Sequence, residues 1–151
     1  MENIPIQKHM GVYGVAMKDG NILLIKKSRG PYTGMYDLPG GRIEEGEKIE
    51  DALHREFIEE VGCEIKELSF LTQEEDSLEY MHPAQGNTLF EHSGTYYNVV
   101  LSDYCEIKDE PDEHDSLGAE WINLQDAYDG KIQVPNIVKK VLDCCVASEI
   151  I

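Results

Sequence analysis

The stretch Gly41–Cys63, GRIEEGEKIEDALHREFIEEVGC, decides how the rest of the chain is read. From Glu47 to Val61 its apolar residues recur at helical spacing, and Gly62 follows as a C-terminal stop. At about 100° per residue, Ile49 and Leu53 define the inward stripe, with Ala52 at its edge. Continuing that stripe puts Glu56 and Glu60 on the same side, flanked by Glu59. Asp51, His54, Arg55 and, unusually, Ile58 point the other way. A helix that merely solvates itself carries its acids on the face opposite the core. This one does not.

Carboxylates at i, i+3 and i+4 are neighbours on a helix and repel one another, and the dipole near a helix C-terminus adds to the repulsion. A divalent cation is the simplest compensation, because hard cations favour clustered carboxylate oxygens. The flanking loop carries the opposite charge. Residues 26–42 hold Lys26, Lys27, Arg29 and Arg42 against Asp37 alone, while residues 43–64 hold nine acids against Lys48 and Arg55. A cationic loop beside an acidic helix suits a metal-bound phosphate, with Lys or Arg gripping the oxygens that the metal does not.

The overall charge narrows the class of partner. The 151 residues carry 13 Lys+Arg against 30 Asp+Glu, a formal net charge of −17. The average surface repels DNA, RNA and anionic membranes, so neither a nucleic-acid polymer nor a membrane is expected as a partner. A small phosphate compound stays compatible if a cation mediates the contact. Length favours one domain over residues 1–151, and area scaling allows about two-thirds of the extended surface to be buried. That core needs no staples. The N-terminal MENIPIQKHMG lacks the basic and apolar regions of a secretory signal, and no run approaches the ~18 apolar residues of a membrane helix, so a cytoplasmic location is expected. Cys63, Cys105, Cys144 and Cys145 form no C-x-x-C pair and no zinc spacing, which predicts reduced thiols.

Outward from the helix, Gly11–Met17 and Asn21–Lys27 are apolar runs joined by Lys18-Asp19-Gly20, a hairpin signal. Residues 28–41, rich in Gly and Pro, read as a loop. Cys63–Leu71, Thr95–Tyr104 and Ala119–Asn123 read as strands. Residues 77–94 suit a surface loop or an extended hairpin tip, and residues 106–115 form an acidic loop. A final helix starts near Pro135 and presents Ile137, Val138, Val141, Leu142 and Cys145 on one face. Hairpins mixed with helices indicate an α+β layered fold with a mixed sheet.

Gly41, five residues, Glu47, seven residues, then Arg55-Glu56-Phe57-Ile58-Glu59-Glu60-Val61-Gly62-Cys63 resembles the Nudix box, G-x5-E-x7-R-E-U-x-E-E-x-G-U, where U is bulky and apolar. Every polar and glycine position matches. Phe57 and Cys63 stand where the box usually carries an aliphatic residue. The resemblance implies a Nudix hydrolase of the MutT type: an α/β/α sandwich with a mixed β-sheet that cleaves diphosphates of a nucleoside linked to another group. It implies that Glu56, Glu59 and Glu60, with the carbonyl of Gly40, bind Mg²⁺ or Mn²⁺, and that Arg55 orients the glutamates by pairing with Glu47 or Glu59. The general base is then one of these glutamates or an acid outside the box, for which Glu113 and Asp115 are the candidates.

The other site residues follow from the same resemblance and from chemistry. Lys27, Arg29 and Arg42 are candidates to hold phosphate oxygens, and Tyr36 and Tyr80 are candidates to stack on a base. Tyr80 lies 17 positions past Cys63 and Pro83 lies 20 past it. A tyrosine near that distance resembles dinucleoside polyphosphate hydrolases, and a proline resembles ADP-ribose pyrophosphatases. The expected ligand is therefore a small nucleotide or nucleoside diphosphate derivative, and the family also makes a homodimer an expectation. The rival reading is a catalytically silent Nudix domain acting as a nucleotide sensor. Such domains usually lose a box glutamate, and this chain keeps all of them.

Overall fold

The computed structural model describes residues 3–110 and 116–147. Strand β1 (Ile6–Lys18) and strand β2 (Asn21–Lys27) form the expected hairpin. Its turn residues Asp19 and Gly20 both take positive φ, 51° and 79°, as a tight hairpin turn requires. Two short strands, β3 (Tyr36–Asp37) and β4 (Gly40–Arg42), lie in the segment predicted as loop. Helix α1 (Ile49–Glu60) follows, then β5 (Ile65–His82), β6 (Gly86–Leu101), β7 (Ser116–Asn123), the short helix α2 (Leu124–Tyr128) and α3 (Asn136–Ala147).

Among the described residues, seven strands make one mixed sheet. Its main path is β3-β2-β1-β6-β5, with β4 paired to β1 and β7 to β2. β1 runs parallel to β6 from Ile6↔Leu89 to Ala16↔Val99, while its other pairings are antiparallel. β5 and β6 are far longer than the sequence pattern indicates, pairing as far as His82↔Gly86. The polar stretch 77–94 is thus the tip of an extended hairpin. Its polar residues alternate with Phe90 and other side chains that pack inward, and that alternation is the strand signal.

Both faces of the central strands are covered, so β1 and β2 read as continuous apolar runs. Leu23 and Ile25 of β2, with Val12 and Ala16 of β1, pack with Ala52, Leu53 and Phe57 of α1. Ile22 and Leu24, with Tyr13 and Val15, pack with Ile137, Val138, Val141 and Leu142 of α3. The result is an α+β sandwich, helix on sheet on helix. Phe57 fills the space above Gly14, where an added Cβ would sit 2.6 Å from its ring. An aromatic residue therefore fits this box position because the strand beneath it has no side chain. Among the described residues no helix is long and apolar enough to cross a membrane.

The cysteines correct the sequence reading. Cys63 and Cys105, expected to be free thiols, are bridged, with Cα atoms 5.7 Å apart; that separation is normal for a disulfide. The β5–β6 register brings them together: Ile65 pairs with Leu101, and Ser102 N–H donates to Glu64 O at 2.9 Å. Residues 42 apart in sequence are neighbours across one end of a hairpin. Cys144 and Cys145 are free.

Candidate active site

Helix α1 begins without a side-chain cap at Lys48 and ends on Gly62, whose φ of 77° lets its N–H donate back to Phe57 O and Ile58 O. The burial along it follows the predicted stripe. Ala52, Leu53, Phe57 and Glu60 are buried, and Ile58 is exposed. Glu60 is thus a buried carboxylate on the core-facing side. Its Oε1 accepts the N–H of Gly40 at 2.8 Å, which ties the helix to β4.

That tie needs glycine at 40. Its φ is 146°, and an added Cβ would collide with Val12 O and the backbone of Tyr13 on the paired strand. Gly41 serves differently: an added Cβ there would sit 2.7 Å from the Glu56 carboxyl. The missing side chain is the space that Glu56 occupies.

Arg55 is the hub of the acids. Its Nε and Nη2 donate to the two oxygens of Glu47 at 2.9 and 3.0 Å, a fork-on-fork pair. Nη1 donates to Glu56 Oε1 at 2.9 Å and lies 3.6 Å from Glu59 Oε2. The Arg55 hydrogen bond holds the Glu47 carboxyl below the usual range, and the glutamates push the guanidinium pKa still higher. Nη2 also donates to Arg42 O at 3.0 Å.

These groups line a cleft of about 440 Å³ whose walls carry Lys27, Arg42, Gly40, Gly41, Arg55, Glu56, Glu59 and Glu60, with His9 and Tyr13 on the β1 side. Among the described residues, no three His, Cys, Asp or Glu side chains are grouped so as to hold a cation as they stand. Glu56 is turned to Arg55 and Glu60 to Gly40. The donor set nevertheless fits a hard divalent cation, since it is all carboxylate oxygen on one helix face and Gly41 leaves a cradle for one of the carboxylates.

The NUDIX domain family model matches residues 6–142, nearly the whole chain. The chain belongs to the NUDIX domain family. A putative nudix hydrolase 1 from Caenorhabditis elegans is 35% identical over 118 residues, covering 77% of this chain and 28% of that protein. An ADP-ribose pyrophosphatase from Methanocaldococcus jannaschii is 45% identical over 62 residues, 41% of this chain and 37% of that protein. Among solved structures, a MutT NUDIX hydrolase from Burkholderia pseudomallei superposes with a TM-score of 0.65 at 26% identity, over 91% of this chain and 97% of that one. The match spans only 20–37% of the length of the first curated relatives.

Within this NUDIX fold the predicted site residues divide. Gly40, Arg42, Arg55, Glu56, Glu59, Glu60 and Lys27 share the cleft. Arg29, Tyr36 and Tyr80 are not on its walls. Tyr36 lies under Lys26, whose Nζ is 5.7 Å from the ring centre, and Tyr80 donates its hydroxyl to Gln7 Oε1 at 2.5 Å while packing on Phe90. Glu113 and Asp115 lie outside the described residues.

Three cleft residues, His9, Tyr13 and Glu44, are not among the predicted site residues, and the first two carry a sequence signal. A signal was present: H-x-G-x-Y occurs at His9-Met10-Gly11-Val12-Tyr13 and again at His92-Ser93-Gly94-Thr95-Tyr96. The parallel pairing sets the two copies side by side, His9↔His92, Gly11↔Gly94 and Tyr13↔Tyr96. Each tyrosine ring lies over the glycine two residues before it. Tyr13 Oη is 2.9 Å from His92 Nε2 and 3.1 Å from His9 Nε2, and Tyr32 Oη is 2.8 Å from His92 Nδ1. Burial, then the charges of His9 and Lys27, lower the His92 pKa to about 3, so it is neutral. Its one ring N–H donates to a tyrosine oxygen and its bare nitrogen accepts from the other.

Proposed function

We propose that the chain is a divalent-metal-dependent hydrolase of a phosphoanhydride bond in a small nucleoside diphosphate derivative, working as one NUDIX unit. The observation that carries this reading is the cleft that sets Lys27 and Arg42 beside Glu56, Glu59 and Glu60 at Gly40 and Gly41 of β4. Membership of the NUDIX family supports it, as do relatives whose names are pyrophosphatases and nucleoside triphosphatases.

Glu56, Glu59 and Glu60, with backbone at Gly40, would hold Mg²⁺ or Mn²⁺. When bound, the cation polarises the bridging phosphates and acidifies a water. Lys27 and Arg42 grip the non-bridging oxygens and offset the charge that moves onto the leaving phosphate. A carboxylate among the box glutamates, or Glu113 or Asp115, takes the proton of the attacking water. Arg55 keeps the glutamates apart and oriented through its fork on Glu47.

The engagement of Glu56 by Arg55 and of Glu60 by the Gly40 N–H favours a second reading, a nucleotide-binding sensor without turnover. One assay separates the two. Release of phosphate or nucleotide is measured from nucleoside triphosphates, ADP-ribose, dinucleoside polyphosphates and nucleotide sugars, with Mg²⁺, Mn²⁺ or chelator. Metal-dependent turnover that Glu59→Gln abolishes supports the hydrolase. Thermal stabilisation by one compound without turnover supports the sensor.

A further inference from the structure

Cys63 sits three residues after Glu60, where α1 turns into β5, and Cys105 sits in the segment that leaves β6. That segment is fastened at both ends. Ser102 N–H donates to Glu64 O at 2.9 Å, and Lys108 N–H donates to Val61 O at 2.7 Å. Lys108 O in turn accepts from Ala119 N–H, and Lys108 Nζ lies 3.5 Å from Glu59 O. Between these anchors the chain is held by the bridge, by the packing of Ile107 against the α1-side core and by an exposed ion pair of Asp103 with Lys66 at 3.5 Å. The bridge therefore couples segment 103–107 to the last turn of the helix that carries the glutamates.

Three features distinguish this bridge from a sealed structural one. The Cys105 end is reachable: it is only partly buried and lines a cavity of about 570 Å³, with Trp121 and Leu101 on the other walls. The Cys63 end is shielded, 2% exposed, with its sulfur 3.7 Å from Glu106 O, so a released thiol has an acceptor in place. Tyr104, immediately before Cys105, is fully exposed and held at φ 63°, a left-handed conformation that a tyrosine rarely adopts.

We propose that Cys63–Cys105 is a thiol–disulfide exchange site, opened by a dithiol that attacks at Cys105 and closed again by the disulfide form of that dithiol, and that its state sets how firmly segment 103–108 holds the C-terminal turn of α1. The thiolate of the dithiol attacks Cys105 Sγ and the sulfur–sulfur bond breaks. Cys63 leaves as a thiolate and takes up a proton. The second thiol of the reductant then attacks the mixed disulfide, Cys105 leaves and is protonated, and the reductant departs as its own disulfide. Two electrons and two protons have passed to the chain. This inference does not depend on the hydrolase reading.

The test uses the full chain under native conditions, oxidised and then treated with dithiothreitol, with acid quench, denaturation and alkylation counted by mass spectrometry. Two labelled cysteines, Cys144 and Cys145, are expected before treatment and four after, with return to two on adding oxidised dithiothreitol. Amide exchange is followed in the same samples. The amides of Lys108, Val61 and Gly62 are expected to exchange at least tenfold faster after reduction, while those of Val12 and Val15 in β1 stay unchanged. Cys105→Ser is expected to show the fast pattern with or without dithiol. Two labelled cysteines after treatment would overturn the exchange site. Four with unaltered exchange at Lys108, Val61 and Gly62 would overturn the coupling. Both readouts stand even if no substrate is ever turned over.

Discussion

Tyr13 Oη lies 2.9 Å from Nε2 of His92, across a parallel pair of strands that carry the same H-x-G-x-Y pattern in register. The contact joins a residue of the cleft wall to an imidazole buried beneath it. Tyr13 and Tyr96 stack with ring centres 5.3 Å apart, and Tyr32 closes the other side of His92. Burial, followed by the charge of Asp37, raises the pKa of Tyr13 and Tyr96, so both stay neutral donors and acceptors.

His92 makes stability depend on acid. Its pKa falls from 6.5 to about 3 in the folded chain, with burial the first cause and His9 and Lys27 the next. Between those values the unfolded chain binds a proton that the native chain does not. The contribution is complete above about pH 6.5 and shrinks as pH falls toward 3. From pH 7 to pH 5 the loss is about 2 kcal/mol. Urea unfolding of wild type and His92→Gln at both pH values checks it: the gap between them narrows at pH 5. Equal gaps would show that His92 is not buried neutral.

Arg55→Lys keeps a positive charge but removes the fork that holds both oxygens of Glu47. Turnover on the best substrate is expected to fall about 10- to 100-fold, as for loss of a group that orients ligands. Glu47→Gln is expected to fall in the same direction by less. Steady-state kinetics in Mg²⁺ checks both, and full activity of Arg55→Lys would remove Arg55 from its orienting role.

Gly41→Ala places a methyl group 2.7 Å from the Glu56 carboxyl. The carboxylate must move, so turnover is expected to drop about tenfold while unfolding free energy changes by no more than about 1 kcal/mol. Thermal melts beside kinetics separate the two effects. A variant that melts normally and turns over normally would show that the Glu56 position is not critical.

Removing the bridge frees a loop whose ends are 42 residues apart. Cys63→Ser with Cys105→Ser is expected to lower unfolding free energy by about 2–4 kcal/mol, mainly by enlarging the unfolded ensemble. Urea unfolding of wild type with and without dithiol checks it: the reduced wild type and the double variant should unfold together.

Local patterns carried the fold a long way. Ile49, Leu53 and Ala52 predicted which face of α1 is buried, Asp19-Gly20 predicted the β1–β2 turn, and the apolar stripe of α3 is the one that packs. These are properties of residues close in sequence, whose spacing converts directly into a face or a turn. The lengths of β5 and β6 were less legible, because one side of that hairpin is solvated and its polar residues resemble a loop.

The sequence by itself determined the family, since the G-x5-E-x7-REUxEExGU spacing is a local pattern on a turn and one helix. It also placed basic residues just before the acidic helix, of which Lys27 and Arg42, both on strands, reach the cleft and Arg29, in the loop, does not. Tertiary structure alone decided three things: that of the two expected partners Glu47 takes the Arg55 fork, with Glu56 held beside it and Glu60 reaching Gly40, that His9 and Tyr13 join the cleft through His92, and that Cys63 meets Cys105. Each depends on a strand register or a side-chain rotamer, and neither is encoded in spacing along the chain. They emerge only when strands distant in sequence pair and both faces of the sheet are covered.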